Sequence, residues 1–178
     1  MREPKTYGPI EMGQRAWELL WEAGEPHGIA AAGLGAFDSL RLEKGYRLWG
    51  QDLNTEHDPF EAGLGFAVKM DKPSFQGKPA LEAIAERGST HRLSCLLLDD
   101  PTHVVMGKEP IWAKDQVVAY VTSAAYGYSV GRAIAYGYLP VELAREGTEV
   151  EIEYFDRRLP ARVAAEPLVD PKGERLRS

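Results

Sequence analysis

Trp17, Leu20 and Trp21 recur at spacings of three and four, the period of one face of an α-helix. Pro9 suits a first helical turn and Gly24 a helix end, so the pattern predicts an amphipathic helix over 9–24. The two tryptophans read as a core-facing stripe, with a ligand platform as the rival reading. Gly33-Leu34-Gly35 reads as a tight turn into a second helix over 36–44. Asp38 and Ser39 sit in its first turn, where they satisfy free N–H groups, and Gly45 closes it. Leu53–Asp58 is a polar connection, Pro59 opens a short helix, and Leu64–Met70 reads as a strand. Pro73–Lys78 reads as a turn, and Pro79–Glu86 as a helix stopped by Gly88.

Beyond residue 88 the period changes. Leu93–Leu98, Val117–Ser123, Ala133–Tyr138, Val150–Phe155 and Leu159–Ala165 are short runs rich in Val, Ile and Tyr, separated by turn residues. Val150-Glu151-Ile152-Glu153-Tyr154 alternates strictly, and Asp156-Arg157-Arg158 separates it from the next run as a hairpin turn would. Such spacing predicts a closed or nearly closed antiparallel barrel. The expected class is α+β: helices with a few strands over 1–88, then a small antiparallel β-barrel over 89–178, with a boundary near Ala85–His91. The polar tail Asp170–Ser178 is expected to be loose.

Composition narrows the function. The net charge is −6, against the clustered cations that a nucleic-acid surface needs. No apolar run approaches the length of a membrane span. Met1–Lys5 opens the chain without the apolar core of a secretory leader, so the cytoplasm is the expected location. The single cysteine, Cys95, leaves no partner for an internal disulfide and reads as a small core residue.

Motifs for common chemistries are missing. No two of His27, His57, His91 and His103 stand three or four apart, so no metal site is expected. No Gly-x-Ser-x-Gly turn, phosphate-binding Gly-x-x-x-x-Gly-Lys loop or Gly-x-Gly-x-x-Gly flavin unit is present, and no FAD is expected. Aromatic density beside charge remains. Tyr46, Trp49, Phe60 and Phe66 lie near Arg41, Arg47, Asp52 and Glu61, and Tyr126, Tyr128, Tyr136 and Tyr138 form a second group. A flat ligand with polar edges uses such groups, although tyrosines in a β-region also serve packing.

Four motifs carry a family resemblance: Asp38-Ser39-Leu40-Arg41-Leu42-Glu43, Trp49-Gly50-Gln51-Asp52, Phe75-Gln76-Gly77-Lys78-Pro79-Ala80-Leu81 and Glu166-Pro167-Leu168-Val169. This order resembles the folate-binding T-protein (aminomethyltransferase) of the glycine cleavage system. It resembles still more the carboxyl-terminal folate region of dimethylglycine and sarcosine dehydrogenases. The resemblance implies part of a folate-binding domain followed by a barrel, and transfer of one carbon from an amine to tetrahydrofolate. It places Tyr46 near the folate, with Trp49 and Arg175 as further candidates, while a packing role at the helix exit is the alternative for Tyr46. Where the resemblance puts a folate-contacting arginine in T-proteins, this chain has Phe37, and the dehydrogenases also lack that arginine. The family's catalytic aspartate and pterin-gripping glutamate are expected to precede the segment matched here, so no catalytic residue is assigned. The folate site is then expected to be weak or shared, and the amino-terminal part to join a protein partner or a second copy. A non-catalytic subunit or interaction domain that completes a partner enzyme is the alternative function.

Overall fold

The computed structural model describes residues 7–175 and 177. The opening Met1–Lys5 lies outside the described residues, as do Leu176 and Ser178 of the tail. Pro9 caps a 3-10 turn, Ile10–Met12, which runs into α1 (Gly13–Gly24); α2 spans Leu34–Glu43 and α3 spans Lys78–Arg87. Gly45 and Gly88 adopt φ of 73° and 80°, the left-handed backbone that a residue without Cβ enters freely. Among the described residues no helix is long and apolar enough to cross a membrane.

Six strands follow: β1 (His91–Leu98), β2 (Pro110–Ala113), β3 (Gln116–Gly127), β4 (Arg132–Pro140), β5 (Glu149–Tyr154) and β6 (Arg157–Ala164). They close into an antiparallel barrel in the order β1-β4-β3-β2-β5-β6. The period of two sorts their side chains. Val150 and Ile152 of β5, with Leu159, Ala161 and Val163 of β6, fill the interior. Glu149 and Arg162, opposite in register, pair on the outside at 2.7 Å.

Strands β1 and β4 are buried on both faces, which explains their near-continuous apolar runs. Leu96, Leu98, Ala133, Ala135 and Leu139 point into the barrel. Leu93, Cys95, Ile134, Tyr136 and Tyr138 form a second core on the outer face, around Leu42 of α2. Helix α2 thus packs on the barrel wall rather than standing apart from it.

The structure departs from the sequence reading at several places. Leu64–Met70 pairs with no strand; it holds a 3-10 turn, Gly65–Ala67, because Gly63 takes φ 71° and the chain coils back on Pro59 through the Leu64 N–H at 2.7 Å. The segment after Pro59 is a run of turns, begun by Asp58, whose side chain accepts the Phe60 and Glu61 N–H groups at 2.7 and 3.0 Å. Strand β2 has no counterpart in the sequence reading: four residues starting with proline show no period. The β5–β6 turn centres on Phe155-Asp156, at φ 45° and 59°, rather than on Asp156-Arg157-Arg158. Two consecutive positive φ values match the twist of flanking strands.

The polar tail, expected to be loose, is anchored at its start. Lys44 binds Asp170 through its carboxylate at 3.0 Å and through its carbonyl, and the Val169 N–H reaches Glu43 O at 3.1 Å. The hydrogen bond from Lys44 holds the Asp170 carboxyl below its usual range.

The Cys95 thiol is pushed up to about 12, chiefly by burial. A thiol held protonated is a poor nucleophile. Native chain treated with a chromogenic disulfide reagent at pH 8 is expected to release no colour within minutes, and one equivalent once denaturant is added. Prompt reaction of the folded chain would refute an inert core role.

Candidate functional site

The candidate site is a loop, Tyr46–Asp52, fixed to the barrel by a buried polar network. Its centre is Arg41, a buried residue of α2. The Arg41 guanidinium donates to Asp52 at 2.9 Å, to Ser123 at 3.0 Å, to Asp38 at 2.9 Å and to Tyr46 O at 3.3 Å. Asp52 accepts in turn from the Leu48 N–H at 2.9 Å and the Thr122 hydroxyl at 2.6 Å. The Tyr138 hydroxyl donates to Asp52 O at 2.7 Å. Side chains of Arg41 and Asp52 are 5% and 1% exposed, so each charge depends on the other.

The motif Asp38-Ser39-Leu40-Arg41-Leu42-Glu43 is therefore largely architectural. Ser39 donates to Tyr126 O at 2.6 Å, Leu42 enters the second core, and Glu43 accepts the Ser129 N–H at 2.7 Å. Gly127 lets Glu43 approach, since a Cβ there would stand 3.3 Å from its carboxylate and 2.5 Å from Ile134. Gln51 and Asp52 of the next motif belong to the same network, Gln51 through Ser123 at 3.1 Å.

Against this buried scaffold the loop turns two rings outward. Tyr46 is 56% exposed and Trp49 is 72% exposed. The main chain of Tyr46 is held on both sides, its N–H bonding Arg41 O at 2.8 Å and its carbonyl receiving the Arg41 guanidinium. Large rings held on a hydrogen-bonded backbone would lose little entropy on being covered. Phe37, one helix turn from Arg41, is exposed as well. Arg175 lies exposed on the tail that Asp170 anchors beside α2.

The tyrosine groups divide. Tyr136 and Tyr138 are buried outer-face residues of β4. Burial first, then the neighbouring Cys95 and Glu166 for Tyr136 and Asp52 for Tyr138, raises both phenols, so both remain donors. Tyr126 and Tyr128 meet edge to face at 5.1 Å beside a groove of about 510 Å³ between α2 and the β3–β4 hairpin. Two arrangements have no short-range signal. His57 stacks on Tyr138 with centroids 3.5 Å apart, at the mouth of a cavity of about 290 Å³. Arg47 meets Glu166 across 119 positions of sequence. Among the described residues no three metal-binding side chains converge.

Residues 91–170 match the glycine cleavage T-protein C-terminal barrel domain, and residues 6–72 match the GCVT N-terminal domain. The chain belongs to the glycine cleavage T-protein family. It is 40% identical to rat mitochondrial dimethylglycine dehydrogenase over 162 residues, covering 90% of this chain and 19% of that protein. It is also 40% identical to an aminomethyltransferase of Symbiobacterium thermophilum over 152 residues, 85% of this chain and 40% of the relative. The glycine cleavage aminomethyltransferase T of Bartonella henselae superposes with a TM-score of 0.81 at 28% identity, over 92% of this chain and 45% of that structure. The chain thus spans about a fifth of the dehydrogenase and two-fifths of the transferase.

Proposed function

We propose that this chain serves one-carbon transfer to tetrahydrofolate, from a glycine-derived or N-methylated amine, by forming one wall of the folate site. The observation that carries the reading is the loop itself: a buried ion pair and its hydrogen bonds spent on fixing a segment whose outward groups are Tyr46 and Trp49. A pterin is flat, and its ring would stack on Tyr46 with Trp49 at its border. Arg175 would meet the carboxylates of the glutamate tail. These residues bind and orient the acceptor. Orientation of the reacting nitrogen is itself a large part of catalysis in group transfer.

Titration calorimetry of the full chain with a reduced folate tests the reading. Binding in the micromolar-to-millimolar range is expected, weakened by Tyr46→Ala about tenfold, as loss of one stacking partner worth ~1–2 kcal/mol implies. Tyr128→Ala, on the separate groove, is expected to leave it unchanged. Equal effects from both substitutions would overturn the assignment of Tyr46.

One observation favours a second role, as a binding module that completes a partner. None of the α1 residues is buried, and Trp17, Leu20 and Trp21 present their face to solvent, the tryptophan rings stacked at 5.9 Å. Isolated helices of this length are marginal in water, so such a face needs a cover. We propose that a protein partner or a second copy supplies it. Light scattering of the full chain is expected to show association that Trp17→Glu with Leu20→Glu abolishes, with the circular dichroism of the barrel retained. A monomer in both cases would refute association through α1.

A further inference from the structure

A carboxylate from the far end of the chain reaches the loop that carries Tyr46. Glu166, just after β6, uses both of its oxygens. One meets the Arg47 guanidinium at 2.5 Å, and the other accepts the Tyr136 hydroxyl at 2.9 Å. Tyr136 is rooted in β4 and 2% exposed. Arg47 adds bonds to Ala62 O at 3.2 Å and to Gly45 O, and its plane lies over the Tyr136 ring at 5.8 Å. The Arg47 side chain is 12% exposed, although it stands on a loop. A continuous relay therefore runs from the barrel wall through Tyr136, Glu166 and Arg47 to the backbone of the residue next to Tyr46.

Tyr46 is held in two ways. Arg41 grips its main chain from within α2, a local contact five positions away. Arg47 adds a grip on the flanking Gly45 carbonyl, and its carboxylate partner Glu166 is delivered by the segment whose Val169 and Asp170 bind Glu43 and Lys44. Remove the Glu166 charge, and Arg47 keeps two carbonyl acceptors but loses its only anionic partner among the described residues. The guanidinium would then seek water, and the Gly45–Leu48 backbone would gain freedom.

We propose that Glu166 is a positioning residue for Tyr46, acting through Arg47. It touches no ligand itself. The proposal rests on the folate reading only for the affinity it would tune; the holding of the loop stands apart from it. Glutamine at position 166 keeps the shape and one acceptor, so it removes the charge-assisted contact with little change in packing.

The test uses the full chain as Glu166→Gln, Tyr46→Ala and the double variant. Reduced-folate titration and hydrogen exchange of the amides of residues 45–48 are the readouts. Glu166→Gln is expected to speed exchange in 45–48 at least ~10-fold, with β3 and β5 amides unchanged, and to weaken folate about tenfold. In the Tyr46→Ala background the same change is expected to weaken folate no further, because a residue acting through Tyr46 has nothing left to position. Unchanged exchange in 45–48, or a full and additive loss in the double variant, overturns the proposal. If the unsubstituted chain shows no folate binding, the folate reading falls, and the exchange result alone upholds or overturns Glu166 as the residue that holds the loop.

Discussion

Asp52→Ala is expected to destabilise the chain by about 3–5 kcal/mol, the range for removing one partner of a buried ion pair. The magnitude follows from what is left behind. The Arg41 guanidinium stays enclosed with Asp38 as its one remaining carboxylate, the Leu48 N–H loses its side-chain acceptor, and the Thr122 hydroxyl is left with the Tyr136 carbonyl at 3.2 Å. In a chain of this size the melting midpoint should fall by roughly 10 °C. Two companions separate charge from shape. Asp52→Asn keeps one acceptor and should cost less. Asp52→Leu with Arg41→Met removes both charges and should recover much of the loss, since a well-packed apolar pair is often as stable as a buried ionic one. Urea denaturation measures all three. A loss under ~1 kcal/mol for Asp52→Ala would mean that water reaches Arg41 and that the loop is not held as described.

Leu42→Ala should rank next, at about 2–5 kcal/mol. Leu42 is fully buried against Leu93, Cys95, Ile134, Tyr136 and Tyr138, so truncation leaves a cavity walled by strands that cannot close in. Leu40, two positions along the same helix, is 59% exposed. Its truncation is expected to fall within about 0.5 kcal/mol of no change. The contrast tests whether α2 is part of the barrel's structure: if both changes are mild, the helix is docked loosely and the Tyr46 loop has no firm base.

Much of the fold was legible because its periods are clean. The alternation of Val150–Tyr154 and the spacing of Trp17, Leu20 and Trp21 announce a strand and a helix. The failures share a cause. Leu64–Met70 is mostly apolar but follows Gly63 and contains Gly65, and an apolar run of that length does not distinguish a strand from a chain coiled on its neighbours. Strand β2 is too short to show a period and owes its existence to pairing with β3 and β5. The candidate site was less legible. Tyr46 and Trp49 stood out as aromatics among charges, but only the family resemblance tied them to folate, and nothing local said that they face outward. The same motif letters proved to hold the interior together: Arg41 and Asp52 drew notice as charge beside aromatics, whereas burial makes them a fastening. Contacts such as Asp52 with Thr122, 70 positions apart, and Arg47 with Glu166 form only when the barrel brings distant segments together.

Because β1 pairs with β6 as well as with β4, the sheet has no unpaired strand on which another chain could grow. Exposed edges are where β proteins recruit one another into fibrils, and closure removes that route. Self-association of this chain must then run through side chains rather than backbone ladders. Concentrated or heated samples that keep the barrel intact should form amorphous assemblies that charged substitutions on α1 dissolve, and not thioflavin-binding fibrils. An organism could therefore retain this barrel at high concentration, even with its helices uncovered, without seeding amyloid.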